Sequence, residues 1–119
     1  MLKGRYETKE IQVLAPAASV HVLWRAPVAC KVIAVRAYRV GGSGAVVNAQ
    51  KNAADLLAAD LSLTSADTWM GGSSGLAAAA VLHLAAGDTL KAEVVSVAGT
   101  PGPTAVTIQV DLLVDADVR

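Results

Sequence analysis

A chain of 119 residues with no net charge, 54% hydrophobic side chains and only four aromatics is long enough to close one core without metal or disulfide staples. Cys30 is its single cysteine, which excludes an intramolecular disulfide and a cysteine zinc cluster; with no base beside it, it reads as a small buried hydrophobe. The mean hydropathy is positive, but the longest uncharged stretch, residues 68–87, is interrupted by Gly71, Gly72, Ser73, Ser74 and Gly75, so its apolar remainder is too short to span a bilayer.

Residues 1–7 lack the apolar core of a secretory signal, so a soluble protein made in a cytoplasm is expected. Residues 1–18 read as an N-terminal arm or first strand, and residues 19–119 as one β-sandwich domain. Within the arm, residues 6–13 alternate polar and apolar side chains up to Leu14-Ala15-Pro16. Residues 19–25 form a second strand candidate, ended by Pro27. Residues 31–40 predict a third, with Val32, Ala34, Arg36, Tyr38 and Val40 on one face and Lys31, Ile33, Val35, Ala37 and Arg39 on the other. Both faces are mixed, which suits a central strand.

Gly41-Gly42-Ser43-Gly44 breaks the chain before a short strand at 45–50 and a turn at 51–55, in which Asn52 is a candidate for the left-handed conformation. Alternation resumes over 58–63, and 71–75 is a Gly/Ser loop. Residues 76–84 read two ways: the alanines at 77–80 favour helix, whereas Val81-Leu82-His83-Leu84 before a Gly-Asp turn favours strand, and the second half is assigned to strand. The clearest signal comes last. Two alternating runs, 90–97 and 105–113, are joined by a Gly/Pro loop at 98–103, the pattern of an antiparallel pair with one buried face. About eight short strands punctuated by Gly, Pro, Asn and Asp predict an all-β chain: a two-sheet antiparallel sandwich, jelly-roll-like, with an extended N-terminal arm. Val, Leu, Ala and Ile in place of Phe suit thin, closely packed sheets.

No constellation announces a reaction, and neither an enzyme nor a cofactor site is expected. His21 and His83 each stand alone in an apolar run with no second ligand at a metal-binding spacing. Asp60, Asp67, Ser62, Ser65 and His83 have no nucleophile-elbow context, and Asp88 after Gly87 is expected to fix a turn. Charge is lopsided along the chain: residues 1–51 carry eight Lys/Arg against two Glu, a net of +6, and residues 52–119 carry two against eight acids, a net of −6. Such a chain either meets partners through charged edges or folds so that its halves interleave. Lys3, Arg5 and Lys9 are interrupted by Glu7 and Glu10 without an aromatic ladder, so nucleic acid is not an expected partner. Trp24 ends an apolar strand and is expected in the core. Trp69, followed by Met70 and the Gly/Ser loop, suits a subunit or shell contact.

The succession Val47-Asn48-Ala49-Gln50-Lys51-Asn52, Asp55-Leu56-Leu57, Asp60-Leu61-Ser62-Leu63-Thr64, Ala86-Gly87-Asp88-Thr89-Leu90 and Thr107-Ile108-Gln109-Val110 resembles the small β-sandwich (jelly-roll) head decoration, or cement, proteins of tailed bacteriophages. The resemblance covers roughly residues 31–113 and rests on turn and strand markers. It implies a homotrimer on the outer surface of the capsid, at three-fold and quasi-three-fold positions, often attached through its N-terminal segment. The partners implied are the major capsid protein and further copies of the chain, with no membrane. On this reading Lys3, Arg5, Tyr6 and Lys9 are candidate capsid contacts, Trp69 and Met70 are candidate subunit-interface residues, and no position carries over as catalytic. The alternative from the residues is a fibre or tail module that binds a host receptor or glycan, disfavoured by the scarcity of aromatic platforms.

Overall fold

The structure, a computed structural model, describes residues 5–114. Within them the chain forms β1 (Arg5–Leu14), β2 (Ser19–Arg25), β3 (Cys30–Gly41), β4 (Gly44–Lys51), β5 (Ala54–Asp55), β6 (Leu61–Ser62), β7 (Met70–Gly72), α1 (Ala79–Leu82), β8 (His83–Leu84), β9 (Thr89–Ala98) and β10 (Pro103–Val114). One antiparallel sheet runs β1-β10-β3 and the other β2-β9-β4. In each, a fourth position is shared by two short strands that follow one another along the same edge: β7 and β8 on β3, β5 and β6 on β4. Strands change sheet at every step from β1 to β4 and again from β9 to β10, so the chain wraps around its core as a jelly roll does. The expected all-β sandwich is therefore present, with two of its strand positions split into fragments.

The two clearest alternating runs do not pair with each other. β9 lies between β2 and β4, whereas β10 lies between β1 and β3 in the facing sheet. Residues 99–102 are thus an arch between sheets rather than a hairpin turn. Gly99, at φ +114, holds the arch where a Cβ would stand 2.7 Å from the backbone nitrogen of Ser43. Alternation reports only that a strand has one buried face. Hairpin partners and strands facing across a core bury the same faces, so period two cannot separate them.

The face assignment of β3 also changes. Asp111 pairs with Ala34 and Leu112 with Val32, leaving Ile33 as an extra residue. This β-bulge flips the alternation, so Val32 joins Cys30, Val35 and Ala37 on the core side, while Arg36 and Tyr38 face outward and Ala34, on their side of the strand opposite Asp111, is itself buried. A one-residue insertion of this kind leaves no mark in composition. Residues 76–84 contain both readings in miniature, a single helical turn at Ala79–Leu82 followed by the two-residue β8, which pairs with Cys30 and Lys31. Asn52 adopts φ +55, as its place in the turn requires.

The core runs along the sandwich in two linked clusters. One gathers Val32, Val35, Leu56, Leu84, Leu90, Val110 and Leu112, and the other Val47, Leu63, Val94, Val106 and Ile108. With no fully buried side chain among the described residues larger than Leu, the two sheets form a slender rod, 52 Å long and 22 and 21 Å across. Two polar side chains of the described residues are buried among them, Arg39 and Asn48, and neither leaves a buried polar atom without a hydrogen-bond partner.

Interleaving of the two halves disperses the charge asymmetry of the sequence. β10, from the acidic half, lies between the basic-half strands β1 and β3. There Asp111 accepts from Thr8 Oγ1 at 2.8 Å and pairs with the Arg36 guanidinium. One acidic group remains in the second sheet. Burial first, then the neighbouring carboxylates of Asp55 and Asp60, hold the Glu93 carboxyl above its usual pKa. Its ionised form is therefore disfavoured in the folded state, so the penalty is full at neutral pH and disappears as pH falls through the raised pKa. Glu93→Gln is expected to raise Tm by about 1–3 °C at pH 7 and to leave it unchanged near pH 3. Thermal unfolding at the two pH values checks this, and an unchanged Tm at pH 7 contradicts it.

Candidate interaction surfaces

The outer face of the first sheet is a ladder of rungs set by strand register. At one end Tyr6, Leu113, Lys31 and His83 stand opposite one another on β1, β10, β3 and β8. Then come Thr8 with Asp111; Glu10, Gln109 and Arg36; and Gln12, Thr107 and Tyr38. Leu14, Ala105 and Val40 close the other end, about 30 Å away by strand geometry. The middle rungs satisfy one another: besides the Asp111 pairs, Gln109 Nε2 donates to Glu10 at 3.0 Å. Both ends carry exposed apolar surface.

At the Leu14 end, Leu14 is 69% exposed, Val40 38% and Trp69 48%. The Trp69 ring lies against Tyr38, with centroids 5.3 Å apart and planes tilted by 59°. Local chemistry puts Trp69 there. Asp67, at φ +55, donates its N–H to the Arg39 carbonyl, which ties the preceding loop to β3. Gly71, at φ +94, lets β7 approach so closely that a Cβ would stand 2.4 Å from the Val35 carbonyl oxygen. Trp69 and Met70 therefore part: the indole is presented outward, while Met70, paired with Ala37, packs against the core. A cluster of large apolar and aromatic groups on an otherwise polar sheet face has the composition of an interface centre.

The basic residues of the N-terminal strand are placed differently. Lys3 lies outside the described residues. Glu7 and Lys9 stand opposite Leu112 and Val110, on the inner side of β1, where Glu7 bonds Arg5 at 2.9 Å and Lys9 at 3.3 Å. Those two cations hold the Glu7 carboxyl below the usual range. The Lys9 ammonium also sits 4.6 Å from the centre of the Trp24 ring and so closes the mouth of the sandwich between β1 and β2. Inward-pointing charges on an edge strand also discourage strand addition there. Of the three predicted N-terminal contacts that are described, Arg5, Tyr6 and Lys9, Tyr6 is the one displayed on the outer face, 74% exposed.

Beside Tyr6 a cleft of about 530 Å³ opens between the start of β3, β8 and the end of β10. Its floor is apolar, made by Ala29, Cys30, Leu84 and Leu113, with Lys31, Lys51, His83 and Asp88 around it. Burial pushes the Cys30 thiol up, away from a reactive thiolate. Asp88 accepts from the Ala85 N–H at 2.8 Å and the Asn52 amide at 3.2 Å, the turn role read from the sequence, and these bonds hold its carboxyl below the usual range. Lys51 Nζ donates to the carbonyls of Ala80 and His83. His21 lies apart on β2 and shares a hydrogen bond with Ser19 Oγ. Among the described residues no three His, Cys, Asp or Glu side chains converge on a possible metal position, and no helix is long and apolar enough to cross a membrane.

No family model matches the sequence, and no curated protein matches it. Among solved structures, a chain of the acid-stable capsid of Helicobacter pylori bacteriophage KHP30 has the same fold: TM-score 0.52 and 13% identity, over 99% of this chain and 94% of that one. At that identity the likeness is one of fold alone.

Proposed function

We propose that the protein is a virion structural protein: a capsid decoration, or cement, protein that binds the outer surface of a phage head as a homotrimer. The observation that carries this reading is the exposed Leu14–Val40–Tyr38–Trp69 patch on a jelly roll that resembles a chain of a phage capsid. Trp69 anchors the contact between subunits, with Met70 packed beneath it as support. Tyr6, with Lys3, Arg5 and Lys9 nearby in sequence, faces the major capsid protein. The work is done by binding: a ligand that holds only the intact lattice shifts the equilibrium away from ruptured states, as ligand binding stabilises a folded protein. No chemical step is needed. The protein is made in the host cytoplasm and ends on the virion surface.

Mixing the purified protein with undecorated heads should give saturable co-sedimentation and a higher rupture temperature; absence of both removes the reading. Trp69→Ser should leave a folded chain but weaken self-association by about 30-fold or more, the usual cost of truncating a buried interface tryptophan. Sedimentation equilibrium measures this, and unchanged association takes Trp69 out of the interface.

A further inference from the structure

We propose that the cleft beside Tyr6 is a docking groove for an acidic, extended segment of the shell protein. Carboxylates of the segment meet Lys31 and Lys51, and an apolar side chain between them rests on Leu113, Ala29 and Ala85. Charge complementarity selects this occupant. Among the described residues one carboxylate lines the cleft, Asp88, and it accepts hydrogen bonds from the Ala85 N–H and the Asn52 amide. Lys51 spends two hydrogen bonds on the carbonyls of Ala80 and His83, and an ammonium has a third donor to offer. Among the described residues Lys31 is exposed and takes part in none of the three ion pairs. Among the described residues the groove thus sets two cations, Lys31 and Lys51, against one carboxylate, Asp88, which already feels the Lys51 charge, and so keeps a net positive charge.

The apolar floor narrows the choice further. A bare anion would leave the partly exposed Ala29, Ala85 and Leu113 uncovered, whereas a strand with alternating acidic and apolar side chains covers both kinds of surface. The volume, about 530 Å³, lies within the range of ligand pockets and accommodates a few side chains. An extended form suits the site because, among the described residues, the two-residue β8 pairs with β3 alone, so an incoming strand can lie along its other edge, displacing Lys51 from the His83 carbonyl. Tyr6 stands in the same rung as Leu113, Lys31 and His83, which makes the groove continuous with the exposed tyrosine. Only the identity of the partner rests on the decoration reading; the chemistry of the groove does not.

The test is fluorescence anisotropy with a fluorescein-labelled peptide of sequence Asp-Leu-Asp-Val-Asp, against Lys-Leu-Lys-Val-Lys, octanoate and a ten-base single-stranded DNA. The acidic peptide should bind saturably and more weakly as salt rises. Lys31→Glu, on an exposed side chain, and Leu113→Asp, in the floor, should each weaken it at least tenfold, with Trp69→Ser without effect. No saturable binding, equal binding of the basic peptide, tighter binding of octanoate or DNA, or indifference to both groove variants overturns the proposal. A head-binding arm separates the two readings. If Lys31→Glu coats heads as well as the unaltered protein does, the groove is not the shell contact although decoration stands. If the unaltered protein binds the peptide through Lys31 but never coats heads, the decoration reading fails and the groove's chemistry stands.

Discussion

Replacing Arg39 with methionine is expected to remove about 2–4 kcal/mol of folding stability, a large share of the 5–15 kcal/mol typical of a domain. Arg39 is 3% exposed and stands opposite Val106 on the core side of β3, with no carboxylate among its hydrogen-bond partners. Its guanidinium is instead shared among backbone carbonyls. Nε donates to Leu63 at 2.9 Å, and Nη1 to Gly41 and Gly42 at 2.5 and 2.9 Å. One planar side chain thus satisfies the end of β3, the turn after it and the chain following β6. Methionine keeps the stem and the packing but orphans the buried Leu63 carbonyl at about 1–3 kcal/mol and gives up the bonds to Gly41 and Gly42 at about 0.5–1.5 kcal/mol each, partly offset because a cation no longer has to be desolvated. Lysine should not rescue the loss, since a point charge on a flexible stem cannot span three acceptors held in a fork. Urea unfolding of Arg39→Met and Arg39→Lys measures both. A loss below about 1 kcal/mol would mean that water replaces the guanidinium.

Asn48→Leu is expected to cost a similar amount, about 2–4 kcal/mol, for a different reason. Asn48 is fully buried. Its Oδ1 accepts the Ala49 and Leu57 N–H groups at 2.8 and 3.1 Å, and its Nδ2 donates to Asp60 at 2.7 Å. Leucine fills the volume but leaves two backbone N–H groups without an acceptor and detaches the chain between β5 and β6 from β4. Asn48→Asp separates the two halves of this network. It keeps an acceptor for both N–H groups but sets a carboxylate against Asp60 where an amide donated before. Its stability should therefore recover towards that of the unaltered protein as pH falls and the acidic pair takes up a proton. Urea midpoints at pH 7 and pH 4 read this directly, and a pH-independent deficit would contradict it.

The strand inventory was legible because a half-buried strand must alternate, and β1, β2, β9 and β10 largely do so between Gly, Pro, Asn or Asp signals. Partnership was not legible. The arch at residues 99–102 and the turn of a hairpin draw on the same residues, and only the facing of two sheets distinguishes them. The bulge at Ile33 was hidden because Val, Ile and Ala are acceptable on either side of a sheet. Trp69 stood out as an unplaced tryptophan, yet Leu14, Tyr38 and Val40, which complete its patch, come from strands distant in sequence. A run with one large apolar residue on its polar face was the available hint. The lysines told less than their number suggested: Lys9 turned inward over Trp24, whereas Lys31 and Lys51, in no basic run, reached the cleft.

Electron cryomicroscopy of undecorated phage heads incubated with the protein is the most direct measurement of whether this jelly roll works as an external clamp on a symmetrical shell. Rod-like densities matching the 52 Å length of the chain are expected outside the shell, grouped in threes at three-fold and quasi-three-fold positions. Bare shells at saturating protein, or density confined to the neck or tail, would contradict it.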